Sequence, residues 1–321
     1  MNYIILDLEW NQAFETESNP SVPFEIVEIG AVKLDEQMEI VDQFQSYIKP
    51  LLYPMLHYKV KQMLGYSEST LRQGRPFHMV CREFLKWCGA DYRFVTWGEL
   101  DLEQLQRNMD YYGLRKLDKP LPYYNLQRIY SKLYQTEKAV RLEQAVEQQG
   151  IDKDRPFHQA VNDAYYTGKI LQGIEPTQFI DEYSFDTYNN PKNKQEEIRK
   201  QYRDSYQYIT REFSNKNEAN ADKEIMSIHC PLCQARAGKK IRWFANSHTI
   251  HYCGGKCKTH GTFVGKLKYK TAQSGKLYII KTLKLTEESA LHTMKARQEE
   301  LRAKRRERAR RNKKLLKNGS K

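Results

Sequence analysis

The run Tyr3-Ile4-Ile5-Leu6-Asp7-Leu8-Glu9 constrains this chain more than any other stretch. Its apolar start predicts a buried strand, and it ends in two carboxylates. Side chains alternate along a strand, so Asp7 and Glu9 point to the same side. Two carboxylates held together at the end of a buried strand repel, and at least one pKa rises unless a cation sits between them. Oxygen clusters of this kind suit hard divalent ions such as Mg2+ and Mn2+. Exposed surface carboxylates would give the same letters, so the rest of the chain has to decide.

Residues 26–35 and 39–48 alternate on either side of a short acidic turn, and with 2–9 they predict three antiparallel strands. Residues 58–64 and 77–88 read as helices; Cys81 and Cys88 fall on the apolar face of the second, as core thiols. A short strand follows over Arg93–Trp97, a helix over 101–113, a strand over 121–126, and helices over 126–135, 141–149 and 157–173. Strands first, then strands alternating with helices, predict an α/β fold with a mixed sheet flanked by helices. A linker is expected from Glu175-Pro176, with a charged helix over 194–213 and a boundary in the polar stretch 214–224. Short strands around four cysteines over 226–285 and a charged helix over 286–316 complete the chain. The expected division is a 1–175 domain, a 176–225 helical linker, a 226–285 β-rich basic domain and a 286–321 basic tail.

The 321 residues are 40% hydrophobic, too apolar for a wholly disordered chain. No stretch approaches the roughly 18 apolar residues a membrane helix needs. The N-terminus lacks a basic n-region, so neither a signal peptide nor an anchor is expected, and a cytoplasmic location is. Charge is segregated. Residues 1–228 hold 28 basic and 35 acidic residues, net −7, whereas 229–285 hold 12 basic residues and no acid. Residues 286–300 are −2, and 301–321 set 11 basic residues against Glu307, which brings the whole to +13. A basic density of that kind meets polyphosphate or forms a solubilising tail.

Two further elements carry acids. Phe94-Val95-Thr96-Trp97-Gly98-Glu99-Leu100-Asp101 is an apolar strand ending in glycine with acids at a helix start. Strand ends of that sort collect ligand sites in open α/β sheets, although Asp101 could equally cap the helix. In Phe157-His158-Gln159-Ala160-Val161-Asn162-Asp163, Asp163 flanks the helix face made by Ala160, Ala164, Thr167 and Leu171, and His158 falls at the helix entrance. Alone, such a histidine reads as structural.

Together, Asp-x-Glu on the first strand, Asp after a later strand and His-x4-Asp on the last helix resemble the DEDDh 3′–5′ exonucleases. That family includes RNase T, proofreading exonuclease subunits and KapD-type sporulation-inhibitor proteins. The resemblance spans about residues 2–174, and IVEIGAV and the Gly74-Arg75-Pro76-Phe77 to Phe84 stretch fit it. It implies an RNase H-like fold and two Mg2+ or Mn2+ ions. Asp7, Glu9 and Asp163 would hold the first ion. Asp7 would bridge to the second, with Asp101 assisting through water, and His158 would act as general base. It also implies hydrolysis from the 3′ end to nucleoside 5′-monophosphates. Many relatives have Thr-Thr-Gly after the Glu where this chain has Trp10-Asn11-Gln12; Trp10 is expected either to stack on a base or to form a lid over the core. The Trp97–Asp101 form leans toward the RNA-degrading members.

Cys230-Pro-Leu-Cys233 and Cys253-Gly-Gly-Lys-Cys257 resemble the two hooks of a zinc ribbon, predicting one structural Zn2+ on four thiolates, with His260 as an alternative to Cys257. Lys239, Lys240 and Arg242 beside Trp243 and Phe244, and Arg305 and Arg306 in the basic tail, are the expected nucleic-acid contacts. The rival reading is a non-catalytic protein whose exonuclease fold only grips 3′ ends; a general base is superfluous to it.

Overall fold

A computed structural model describes residues 1–14, 19–64, 67–136 and 138–318. The last three tail residues, 319–321, lie outside the described part. The chain forms two compact units, Met1–Asn189 and Asn190–Lys321.

The first unit is built on a six-stranded mixed sheet of β1 (Asn2–Gln12), β2 (Phe24–Leu34), β3 (Ile40–Tyr47), β4 (Tyr92–Thr96), β5 (Pro122–Asn125) and β6 (Ser184–Phe185), in the order β3-β2-β1-β4-β5-β6. β1 runs antiparallel to β2 and parallel to β4, which places it in the middle with both faces covered. Its side chains divide accordingly. Tyr3 and Ile5 join one core with Ala164, Ile170 and Leu171, while Ile4, Leu6 and Leu8 join another with Phe77, Phe84, Leu102 and Leu105. The helices α1 (Tyr58–Met63), α2 (Glu68–Arg72), α3 (Phe77–Cys88), α4 (Leu100–Tyr111), α5 (Leu126–Leu133), α6 (Leu142–Gln148), α7 (Ala160–Gln172) and α8 (Pro176–Phe179) surround the sheet. Cys81 and Cys88 are buried in the second core, and burial pushes the Cys81 thiol up to about 12. This is the expected mixed sheet flanked by helices.

The second unit departs from expectation. Its sheet comprises β7 (Ile198–Gln201), β8 (Ser205–Ile209), β9 (Gly238–Ala245), β10 (Ile250–Cys257), β11 (Gly261–Thr271) and β12 (Leu277–Leu285), ordered β7-β8-β12-β11-β10-β9 and antiparallel throughout. The charged helix expected over 194–213 is instead one short helical turn and two strands. Tyr206 and Tyr208 alternate at period two and β8 pairs with β12, which outweighs the helix-favouring charges nearby. The boundary expected over 214–224 is likewise absent. That stretch contains α9 (Lys216–Ala221) and leads into α10 (Lys223–Met226), and Ala219 and Ile225 are fully buried in a core with Tyr208, Leu267 and Ile279. Residues 176–189 therefore belong with the first unit and 190–225 with the second. α11 (Glu288–Asn318) closes the chain. Among the described residues no helix is long and apolar enough to cross a membrane.

Candidate active site and metal centres

The carboxylates meet at the end of β1. Asp7 pairs in register with Gly30, and Glu9 with Glu28. Gly30 lets α7 come down onto the sheet. A Cβ there would lie 2.0 Å from the backbone nitrogen of Val161 and 2.1 Å from the carbonyl carbon of Ala160. That close approach carries Asp163, in the first turn of α7, to the strand. One ligand atom each from Glu9, His158 and Asp163 lie within 4.8 Å of one another. His158 precedes α7 with a positive φ of 62°, and its backbone N–H donates to Asp163 Oδ2 at 3.0 Å. Its exposed ring stands at the mouth of the site. Asp101 enters from the other side of the sheet order. It is the second residue of α4, whose cap position is Glu99, so Asp101 is not the helix cap. Past Glu9 the β1–β2 register shifts, a bulge of the kind that re-aims side chains beside active sites.

Electrostatics follow from this crowding. Burial, then Asp101, Glu9, Asp163 and Glu28, hold the Asp7 carboxyl well above its ordinary range. Burial and the neighbouring Asp163, Glu28 and Asp101 push Glu9 up to about 8. Burial raises Asp101 to about 7 and Asp163 to about 7. Two like charges about 5 Å apart repel by roughly 3 kcal/mol at an effective dielectric of 20, so the cluster is strained as an array of bare anions. Asp163 Oδ1 is buried with no hydrogen-bond partner. Four carboxylates in mutual repulsion, with one orphaned carboxylate oxygen, fit hard divalent cations.

Glu28 was not singled out in the sequence. It is fully buried, accepts from Gln45 Nε2 at 2.8 Å and from the Ala160 N–H at 3.3 Å, and so joins Glu9's neighbour strand to the start of α7. A Glu between Val27 and Ile29, in the apolar run from Ile26 to Val32, was the available signal. Asn11, in the departing Trp-Asn-Gln segment, is buried; it donates to the Tyr53 and Met55 carbonyls and accepts from the His57 N–H, anchoring the loop after β3. Trp10 is half-buried, its ring 5.8 Å from Phe24, as a lid over the second core would be.

In the second unit the cysteines separate into two roles. Cys230 Sγ and Cys257 Sγ lie 3.5 and 3.8 Å from His260 Nδ1, and Cys233 Sγ lies 3.8 Å from Cys257 Sγ. A tetrahedral zinc with ordinary Zn–S and Zn–N bonds spaces its ligands at about 3.8 Å for S···S and about 3.6 Å for S···N. The four atoms therefore fit a zinc centre of three cysteines and one histidine. Backbone N–H groups of His260 and Thr259 bring the Cys257 thiol down to about 6, favouring the thiolate a metal needs. Cys253 is not part of the set, which corrects the expected centre of four thiolates. β10 runs extended from 250 to 257, so Cys253 and Cys257 stand about 13 Å apart along it. Cys253 is instead buried with Ile228, Phe263 and Leu283, and burial pushes its thiol up to about 12. Lys239, Lys240 and Arg242 are exposed on β9, an edge strand; Arg306 is exposed, and Arg305 is exposed while donating to the Ala245 carbonyl at 2.9 Å.

The first unit matches a known family. The RNase_T exonuclease family model matches residues 4–171. The probable 3′-5′ exonuclease KapD of Bacillus subtilis (strain 168) is 24% identical over 177 residues, 54% of this chain and 83% of that protein. Among solved structures, a full-length 3′-exonuclease aligns over 54% of this chain and 80% of its own, with TM-score 0.48 and 21% identity. The nuclease domain of 3′hExo, described as a DEDDh family member bound to rAMP, aligns over 57% and 95%, with TM-score 0.49 and 21% identity.

Proposed function

We propose, because this chain belongs to the RNase_T family of exonucleases, that it is a DEDDh-type 3′–5′ exonuclease that removes nucleotides from 3′ ends, with RNA preferred over DNA. Asp7, Glu9 and Asp163 would hold one Mg2+ or Mn2+, and Asp101 would assist at a second. Bound there, such ions offset phosphate charge and make water a better nucleophile at neutral pH. His158, exposed at the rim and tied through its backbone to Asp163, takes the proton of the attacking water. The water oxygen bonds to phosphorus as the P–O3′ bond opens, and the leaving 3′ oxygen takes a proton from solvent, giving a nucleoside 5′-monophosphate and a strand one residue shorter. The observation that carries this reading is the convergence of Glu9, His158 and Asp163 ligand atoms within 4.8 Å. The basic second unit supplies attraction for the polyanion that the first unit, with 20 basic and 28 acidic residues, lacks. The centre of Cys230, Cys233, Cys257 and His260 holds a structural Zn2+, and its thiolate chemistry suits a reducing, cytoplasmic setting.

The test is a digestion series on matched single-stranded RNA and DNA with Mg2+ or Mn2+. RNA is expected to be degraded faster, and His158→Ala to lower kcat by about 10²–10⁴. Faster DNA degradation overturns the substrate preference. Near-normal turnover by His158→Ala overturns its role as base.

A further inference from the structure

α7 lies along one row of β2. Val32 and Leu34 share a core with Ala164 and Leu171, Gly30 meets the backbone of Ala160 and Val161, and Glu28 comes next in the same alternation. The row therefore ends on a fully buried carboxylate beside the first residue of the helix. Helix starts leave backbone N–H groups without partners inside the helix, and a cap side chain usually takes one. Here the cap residue Gln159 makes no such hydrogen bond. Glu28 Oε2 accepts from the Ala160 N–H at 3.3 Å instead, while Gln45 Nε2 donates to Oε1 at 2.8 Å and fixes the carboxylate from β3. The residues before α7 need holding. His158 has a φ of 62°, a left-handed conformation that costs a non-glycine residue on the order of 1–3 kcal/mol. From the helix side, Asp163 Oδ2 accepts the His158 N–H and Asn162 Nδ2 donates to the Pro156 carbonyl. From the sheet side, Glu28 pins the chain where it enters the helix. Its charge adds to the repulsion on Asp7, Glu9 and Asp163, so folding alone would favour a neutral side chain there.

We propose that Glu28 is a positioning residue of this site, whose carboxylate holds the start of α7 so that Asp163 and His158 meet Glu9. The inference rests on the reading of the cluster as the ion-holding site of a hydrolase and adds a residue that acts through Asp163 and His158. Partners that orient ligand side chains commonly matter about 10–100-fold for metal affinity or activity.

The experiment compares two variants of the full-length chain that lose the charge alike. Glu28→Met keeps the length of the side chain and offers the Ala160 N–H no acceptor, whereas Glu28→Gln retains one. Mn2+ affinity is read without substrate by electron paramagnetic resonance of the free ion. Hydrolysis of a short single strand gives kcat and KM, and mass spectrometry follows amide exchange over residues 158–166 in protein free of Mn2+. Glu28→Met is expected to weaken Mn2+ binding about tenfold and to lower kcat about 10–100-fold, with KM within about twofold. It should also speed exchange over 158–166, because the helix start opens more readily. Glu28→Gln is expected to restore Mn2+ affinity and kcat to within about threefold of wild type. A merely structural role would lower the melting temperature of Glu28→Met and leave the Mn2+ affinity of the folded protein as it was. Wild-type Mn2+ affinity or unchanged exchange in Glu28→Met overturns the proposal. A Glu28→Gln variant as impaired as Glu28→Met overturns it too, since charge rather than the tether would then be at work. Far-UV circular dichroism reports folding, and Glu28→Ala serves if Glu28→Met does not fold. A wild-type chain that neither binds Mn2+ nor releases mononucleotides overturns the hydrolase reading instead, and amide exchange still decides whether Glu28 holds α7.

Discussion

Asp7→Asn is expected to lower hydrolysis by at least about 10³-fold and, without divalent ions, to raise the melting temperature of the first unit. The first effect follows from losing a carboxylate in the cluster proposed to hold the ions, where charge offset is worth several kcal/mol in the transition state. The second follows from the sign of the proton linkage. The carboxyls of Asp7, Glu9, Asp101 and Asp163 all hold protons more tightly folded than unfolded. The metal-free fold is therefore favoured most below about pH 4, where both states are protonated. It loses stability as pH rises to about 7–8, where Glu9, Asp101 and Asp163 ionise in place. Asn has the same shape and no charge, so it relieves that penalty. Added Mg2+ or Mn2+ should accordingly stabilise the wild-type chain more at pH 8 than at pH 5, and stabilise Asp7→Asn less. Thermal unfolding of both proteins across pH, with and without the ions, reads all three effects. Wild-type turnover in the variant, or a lower melting temperature at pH 8, would sink this account of the cluster.

The second large effect is at the sulfur cluster. Cys230→Ser with Cys233→Ser should release zinc and unfold the second unit. Structural zinc binding in small domains is worth about 10–16 kcal/mol, comparable with the whole stability of a domain at about 5–15 kcal/mol. Cys253→Ser should keep one zinc per chain and cost only packing, because its thiol faces Phe263 and Leu283 rather than the ligands. Hydrolysis of a short oligonucleotide should survive both changes. Metal analysis distinguishes the sets: zinc lost in Cys253→Ser and retained in Cys257→Ser would contradict the centre of three cysteines and His260.

These two sites also mark how far sequence pattern reaches. The first sheet was legible because its strands alternate and end in polar residues that an apolar interior would not tolerate without purpose. Asp7, Glu9 and Asp163 stood out as charges on otherwise apolar faces. Glu28 did not, because one charge inside IVEIGAV reads as an exposed strand position until the register shows it opposite Glu9. Nothing local announces that Gly30 is contacted by α7, some 130 residues later; close approach is a property of the assembled fold. In the second unit the spacing Cys253-x3-Cys257 resembles a hook only if the backbone turns there, and strand pairing with β11 keeps it extended. Residues 198–209 were lost to their charge: Arg199 and Lys200 on the edge strand β7 hide the period-two pattern, and the pairing of Arg199 with Glu197 and Glu224 appears only in the fold.

The central claim is that the carboxylate cluster at the end of β1 removes single nucleotides from a 3′ end with divalent ions. The direct measurement is product analysis on a single strand carrying its label on the 3′-terminal nucleotide, with the full-length chain, in the presence and absence of Mn2+. The account predicts that the label leaves first, as a nucleoside 5′-monophosphate, and only when the ion is supplied. Internal fragments, 3′-phosphorylated products, or release that proceeds equally in ion-free protein would contradict it.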